Sequence, residues 1–217
     1  MSIKEIFPIK VLIKDLDLAD YQNQEIKSVT QAIMAQHQAN TGVPLAELTD
    51  NEIPLFTPEN LEAFPILQEV RQIFIDGFVE LAQSFTNNVL TKEQIEEQVT
   101  NNTGKLPIMK RGDYKELHNH VGASAFGILY LDFVDNDTDG GKLILRDPAM
   151  HSNVGFSEGQ KFEIETRKNR LIIAPAYLWH EVTPYMGEER CTLVFNLDLV
   201  DPANFQNMYV PSSDFCS

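Results

Sequence analysis

Hydrophobic positions change their period partway along this chain. In "FPIKVLIKD" they alternate after Pro8, which predicts a strand over Lys10 to Lys14. From Leu18 to Asn40 the chain is polar, with Ile26, Val29, Ile33 and Met34 at helical spacing, the pattern of a surface helix with one apolar stripe. Asn40 to Phe56 carries Gly42, Pro44 and Pro54 and reads as a loop. Thr57 then offers an N-cap, and Pro58 sits at the first helical position. Leu61, Phe64, Leu67, Val70, Ile73, Phe74, Phe78 and Leu81 follow mostly at steps of three or four. They predict a long amphipathic helix, kinked at Pro65. Thr91 and Gln94 form a capping-box pattern that opens a short helix.

From Gly104 onward the runs are short, alternating or β-branched, and separated by Gly, Asn, Asp and Pro. They predict strands at Leu106 to Lys110, Ala125 to Val134, Lys142 to Arg146, Lys161 to Thr166, Arg170 to Ala174 and Cys191 to Leu199. "DNDTDGG" between two of them is a turn by composition. Helices followed by many short strands make an α+β chain, mainly β: a jelly roll with N-terminal helices packed on one face. A single domain is expected. Residues 1–103 supply a first strand and buttressing helices, 104–200 the barrel, and 201–217 a tail.

Composition narrows the function. The 217 residues are 43% hydrophobic, enough for a sizeable core. The net charge is -15 with no basic run, which argues against binding a nucleic-acid backbone or an anionic membrane surface. No apolar run approaches the roughly 18 residues of a membrane helix, and the charged N-terminal stretch has no signal-peptide core. Cys191 and Cys216 make no disulfide framework. A cytoplasmic protein is expected.

Only five histidines are present, and two of them stand one residue apart in "RGDYKELHNHVGASAFGILYLDF". In an extended segment residues i and i+2 point to the same side, so His118 and His120 can aim two imidazoles at one point. Imidazole suits iron, zinc, copper and nickel. His180, ending the apolar run of "IIAPAYLWHEVTP", is the best third ligand, because it lies far enough downstream to return on a neighbouring strand. A lone histidine at a strand end is usually just a hydrogen-bonded residue, and His37 and His151 read that way, though His151 could reach a pocket mouth. In "EERCTLVFNLDL", Arg190 and Thr192 share one strand face, Cys191 and Leu193 the other. An Arg facing a barrel interior is costly unless an anion meets it, and a guanidinium can take a carboxylate through two hydrogen bonds. At a strand start it could equally lie in water.

"RGDYKELHNH", "GILYLDF", "GGKLILRDP", "APAYLWHEVTP" and "ERCTLVFNL" together resemble the 2-oxoglutarate- and iron(II)-dependent oxygenases of the prolyl-hydroxylase-like superfamily. The group resembled has H-x-H where most relatives have H-x-D. The resemblance spans about Lys105 to Leu199 and implies a double-stranded β-helix. It also implies a dioxygenase that hydroxylates a small-molecule or peptidyl substrate while 2-oxoglutarate is decarboxylated to succinate. Carried over, His118 and His180 are iron(II) ligands and His120 stands in the carboxylate slot. Arg190 binds the distal carboxylate of 2-oxoglutarate with help from Thr192, and Tyr130 lines the cosubstrate pocket. Asn196, ending the matching "FNL", has at most a structural role. Such oxygenases ordinarily use two His and one carboxylate. Here either three histidines bind the metal or an Asp elsewhere, such as Asp132 or Asp147, supplies the anion. Gly112, the H-x-H, the proline and the histidine of "NRLIIAPAYLWH" also resemble the cupins. Tyr177 stands where cupins have Gly, and the cupin glutamate is missing from Val121 to Ser124. A cupin-type metalloenzyme that does not use 2-oxoglutarate, or a catalytically silent barrel, would share the fold.

Overall fold

The alternation of side chains along three long strands decides the architecture. The computed structural model describes residues 9–44, 52–85, 91–100, 103–132, 140–147 and 161–199. Central are β6 (Ala125–Asp132), β9 (Arg170–Pro175) and β11 (Glu189–Leu199). On one face Ala125, Leu129, Leu131, Leu171, Ile173, Cys191, Leu193, Phe195 and Leu197 join a cluster with the helices. On the other, Phe126, Ile128, Tyr130, Ile172, Ala174 and Val194 join residues of a second sheet. Both faces are covered, so the strands read as continuous apolar runs rather than clean alternations.

The larger sheet runs β1 (Leu12–Asp15), β9, β6, β11 and β2 (Val99–Thr100), with β3 (Gly104–Lys105) and β4 (Ile108–Lys110) also paired to β11. The smaller runs β5 (Lys115–His118), β10 (His180–Val182), β7 (Leu143–Arg146) and β8 (Lys161–Ile164). Every pairing is antiparallel. Two such sheets facing across one apolar cluster form the expected double-stranded β-helix.

The outer face is buttressed by α1 (Asp20–Thr41) and by α2 (Pro58–Ala63) with α3 (Pro65–Phe85); a short α4 (Lys92–Glu96) follows. Phe74 of α3 stacks on Phe195 with ring centroids 4.9 Å apart, and Phe56 meets the same ring edge-on at 4.9 Å. Each of these buried aromatics contributes roughly 1.5–3 kcal/mol of transfer free energy. The approach of α3 depends on Gly127, where a Cβ would lie 2.5 Å from the Phe74 ring.

The long helix is broken, not merely kinked: Phe64 takes an extended backbone because it precedes Pro65. Thr57 caps α2 through Asn60 N–H at 3.3 Å, and the Thr91–Gln94 capping box forms as expected. The strand expected at Leu106 to Lys110 begins only at Ile108, after Pro107, which has no N–H to give a ladder, and the two-residue β3 precedes it. The first strand begins at Leu12 rather than Lys10. The end of the expected loop, at Ile53 to Phe56, is core: Ile53, Leu55 and Phe56 are fully buried, and Ile53 bridges Gly104. The turn "DNDTDGG" except its two glycines, His151, Cys216 and the tail from 201 lie outside the described residues.

Candidate metal and cosubstrate site

β5 and β10 are too short to show in the hydrophobic pattern, yet they place the histidines. His118 on β5 stands directly opposite His180 on β10 in an antiparallel pair. His120 lies two residues beyond His118, anchored by its N–H to the Ala176 carbonyl at 3.0 Å. One potential ligand atom from each of the three lies within 4.8 Å of the others. Ring centroids are 4.3 Å apart for His118 and His180, 5.2 Å for His120 and His180, and 5.6 Å for His118 and His120. Phe126 stacks against both His120 and His180, a dry wall behind the cluster.

Each imidazole is held from behind by its Nδ1. His118 Nδ1 meets the Glu116 carbonyl at 2.7 Å, His180 Nδ1 the Leu178 carbonyl at 2.9 Å, and His120 Nδ1 the Asn196 Oδ1 at 2.6 Å. All three partners are acceptors, so each ring keeps its proton on Nδ1 and leaves an Nε2 lone pair for the site. This is the usual outer arrangement of metal-binding histidines. Burial lowers the pKa of all three, that of His120 to about 4 and that of His180 to about 3, against the opposing effect of those hydrogen bonds. The positive charge of Lys105 adds to the lowering in each ring. Neutral imidazoles with free lone pairs at neutral pH are what a divalent metal requires.

These shifts tie the metal-free fold to pH. A folded pKa below the unfolded value of about 6.5 means the unfolded chain takes up protons first. Stability is then complete above pH 6.5 and is lost as pH falls toward about 3 for His180 and about 4 for His120. For His180, 2% exposed, the slope approaches roughly 1.4 kcal/mol per pH unit. Urea midpoints of the metal-free protein between pH 7 and pH 4 should fall, and His180→Phe should flatten the decline. A wild-type profile that is level over that window would contradict the burial of these rings.

A cavity of about 520 Å³ joins the histidines to Arg190. Alternation along β11 aims Arg190, Thr192 and Val194 into it, with Thr192 opposite Tyr130 and Val194 opposite Ile128 on β6. Arg190 is not at a wet strand start: it is 2% exposed. Its Nη1 donates to the Gly141 carbonyl and its Nη2 lies 2.8 Å from Met109 Sδ, while its Nε has no partner. The rings of Tyr130 and Tyr185 lie 5.4 and 5.3 Å from the guanidinium carbon. Arg170, by contrast, holds Asp15 through Nε at 2.7 Å and Nη2 at 2.8 Å. Among the described residues no carboxylate does the same for Arg190. A buried cation with an unused donor, lining a cavity, suits an anion, and among the described residues no carboxylate fills that role.

The structure therefore brings together all six residues that the sequence singled out. Among the described residues no carboxylate joins the three histidines. Asp132 faces Lys27 at 3.7 Å, and Asp147 lines a separate cavity with Ile9, Val11 and Phe162. Four residues of the site were missed. Gly141 takes a positive φ and turns its carbonyl to Arg190, and a Cβ there would stand 2.7 Å from the guanidinium. Tyr185 walls the arginine, and Lys105 lines the cavity. Asn196, expected at most to be structural, holds His120. Its position continues the 190, 192, 194 alternation, a signal that was available in the sequence.

Residues 106–196 match a family model described as "Putative 2OG-Fe(II) oxygenase". Comparison with curated proteins by sequence finds no match. Solved structures share the fold. A prolyl-4-hydroxylase from Pseudomonas putida superposes with a TM-score of 0.53 at 14% identity, over 89% of this chain and 88% of that one. The viral collagen prolyl hydroxylase of Paramecium bursaria Chlorella virus-1, in complex with 2OG, gives 0.54 at 14% identity, over 88% and 96%. The nickel complex of ThoJ, a non-heme monooxygenase, gives 0.51 at 13% identity, over 97% and 86%. The three histidines and Arg190 all lie inside the matched segment: residues 106–196 are similar to the 2OG-Fe(II) oxygenases, and by that likeness the protein is an oxygenase whose cofactors are iron(II) and 2-oxoglutarate.

Proposed function

We propose that this oxygenase hydroxylates a C–H bond of a small-molecule or peptidyl substrate, with His118, His120 and His180 holding iron(II) and Arg190, Thr192 and Tyr130 holding 2-oxoglutarate. The observation that carries the reading is one cavity lined by three histidines with free Nε2 lone pairs and by a buried guanidinium whose Nε has no partner. When bound, iron(II) and 2-oxoglutarate supply the oxidising chemistry, in which dioxygen is reduced as 2-oxoglutarate loses carbon dioxide to become succinate.

The chain's own residues bind, orient and exclude water. Arg190 takes the distal carboxylate through its unpartnered Nε, and the Thr192 hydroxyl, on the same strand face, adds a second donor. Tyr130 and Tyr185 hold the guanidinium plane by packing on it. Ile128 and Val194 line the cavity shared by the histidines and the arginine with apolar surface, and Phe126 backs His120 and His180. Three neutral imidazoles leave the metal one positive charge richer than a two-His, one-carboxylate set, which favours a dianionic cosubstrate. Tyr114, Lys115 and Val182 line the same cavity and form its substrate side.

Helices and barrel act as one domain in this reading, since they share one buried cluster. Among the described residues no helix is long and apolar enough to cross a membrane. Cys191, buried and free, fits a reducing compartment, so we place the enzyme in the cytoplasm.

The test is turnover without added substrate. Protein loaded anaerobically with iron(II) and then exposed to oxygen should convert 2-oxoglutarate to succinate slowly, as followed by chromatography. Stoichiometric iron with no succinate above the iron-only control would point instead to a barrel metalloenzyme that does not use 2-oxoglutarate.

A further inference from the structure

We propose that Glu52, outside the barrel strands, decides which nitrogen of His120 carries the proton, and so keeps Nε2 bare toward the metal site, acting through Asn196. The proposal rests on the reading of His120 as a metal ligand. Asn196 Nδ2 donates to Glu52 Oε1, and Asn196 Oδ1 lies 2.6 Å from His120 Nδ1. An ionised carboxylate only accepts hydrogen bonds. It therefore takes the NH2 end of the amide and leaves the carbonyl end for the imidazole. That carbonyl also only accepts, so His120 must carry its proton on Nδ1 and turn a bare Nε2 to the site.

His118 and His180 obtain the same result from main-chain carbonyls, which cannot turn over. His120 alone of the three depends on a side-chain amide. If that amide flipped, it would donate to Nδ1, move the proton to Nε2 and remove the lone pair from the metal's side. Glu52 is the group that forbids the flip. It is itself fixed from both sides. Thr103 Oγ1 donates to Glu52 Oε2 at 2.7 Å, and the next residue, Ile53, exchanges two main-chain hydrogen bonds with Gly104 at 2.9 and 3.0 Å. Ile53 is fully buried, so the segment is pinned to the start of β3.

The arrangement also bears on the missing carboxylate. His120 is neutral where most relatives place an acidic ligand. Glu52 sets a negative charge one amide away, and an acceptor chain behind a ligating imidazole raises its basicity. Glu52 is thus a positioning residue, and it never touches the metal.

The tautomer of His120 is read directly in metal-free protein by long-range proton–nitrogen correlation of labelled histidines, with His120→Gln to assign the signals. Wild type should show the Nδ1–H form. Glu52→Ala should move His120 toward the Nε2–H form, and Glu52→Gln, which offers either end of its own amide, should give a mixture. Asn196→Asp puts an acceptor against Nδ1 whatever stands at 52, so the Glu52→Ala/Asn196→Asp pair should restore Nδ1–H. Mn(II) affinity should follow the same order, falling about 10-fold in Glu52→Ala and recovering in the pair. His120 staying Nδ1–H in both Glu52 variants would overturn the proposal. A switched tautomer with unchanged Mn(II) affinity would support the tautomer lock and overturn instead the reading of His120 as a metal ligand.

Discussion

His180→Ala should abolish stoichiometric iron(II) binding, while His120→Asp should retain it. His180 is the most enclosed of the three proposed ligands: it is 2% exposed, paired across the sheet with His118 and stacked on Phe126. No other described His, Cys, Asp or Glu completes a cluster with His118 and His120. Loss of even an outer-shell partner typically costs 10- to 100-fold in metal affinity, so loss of a direct ligand should exceed about 100-fold. His120→Asp has a different expected result, because it rebuilds the two-His, one-carboxylate set. The shorter side chain reaches less far and gives up the contact to Asn196, so a modest loss is expected. Anaerobic iron(II) titration of the three proteins decides the matter. Binding by His180→Ala as tight as wild type would remove His180 from the metal site.

The barrel was legible in the sequence because its long strands are buried on both faces. Runs such as "AFGILYL" and "LIIAP" are apolar without interruption and short, bounded by polar and turn residues, as buried strands are. The capping residues Thr57 and Thr91 were legible for a local reason, since a hydroxyl bonding an N–H three residues on needs no tertiary partner. β5 and β10 were not, although they carry two of the three histidines. Each is only three or four residues long and only partly buried, and short strands are held by neighbours rather than by their own pattern. The histidines were found through chemistry and not through the strands that carry them.

The remaining failures share one cause: long-range partners. Ile53 to Phe56 reads as loop because Pro54 interrupts it and Gly42 and Pro44 precede it, yet Ile53 pairs with Gly104 and Phe56 packs on Phe195. Glu52 looks like any surface acid, and its contact to Asn196 is a product of that same pairing. Gly141 was read as part of a turn. Its second role, a positive φ that turns a carbonyl to Arg190, depends on where β11 passes. No local sequence rule contains these facts.

Arg190→Met should weaken 2-oxoglutarate binding by about 2–5 kcal/mol, roughly 30- to several-thousand-fold, the cost of removing one partner of a buried charge pair. Metal content should not change, because the guanidinium bonds Gly141 and Met109 and none of the histidines. The substitution should also leave the unliganded fold no less stable, and in all expectation of the physics more so. In free protein the cation lies buried with no carboxylate against it among the described residues, Nε is unpaired, and burial lowers its pKa. Replacing buried charge by an apolar side chain of similar volume is often neutral or stabilising by 1–4 kcal/mol. Met supplies that volume between Tyr130 and Tyr185. A residue kept for the fold would show the opposite pair of effects, as Arg170 should, since removing it strands Asp15. Calorimetry of 2-oxoglutarate against Mn(II)-loaded protein gives the first quantity, and a urea melt of the unliganded protein gives the second. Unchanged affinity in Arg190→Met would show that the cavity's cation serves some other anion; lost affinity with gained stability would show a protein that carries a strained charge for the sake of its cosubstrate.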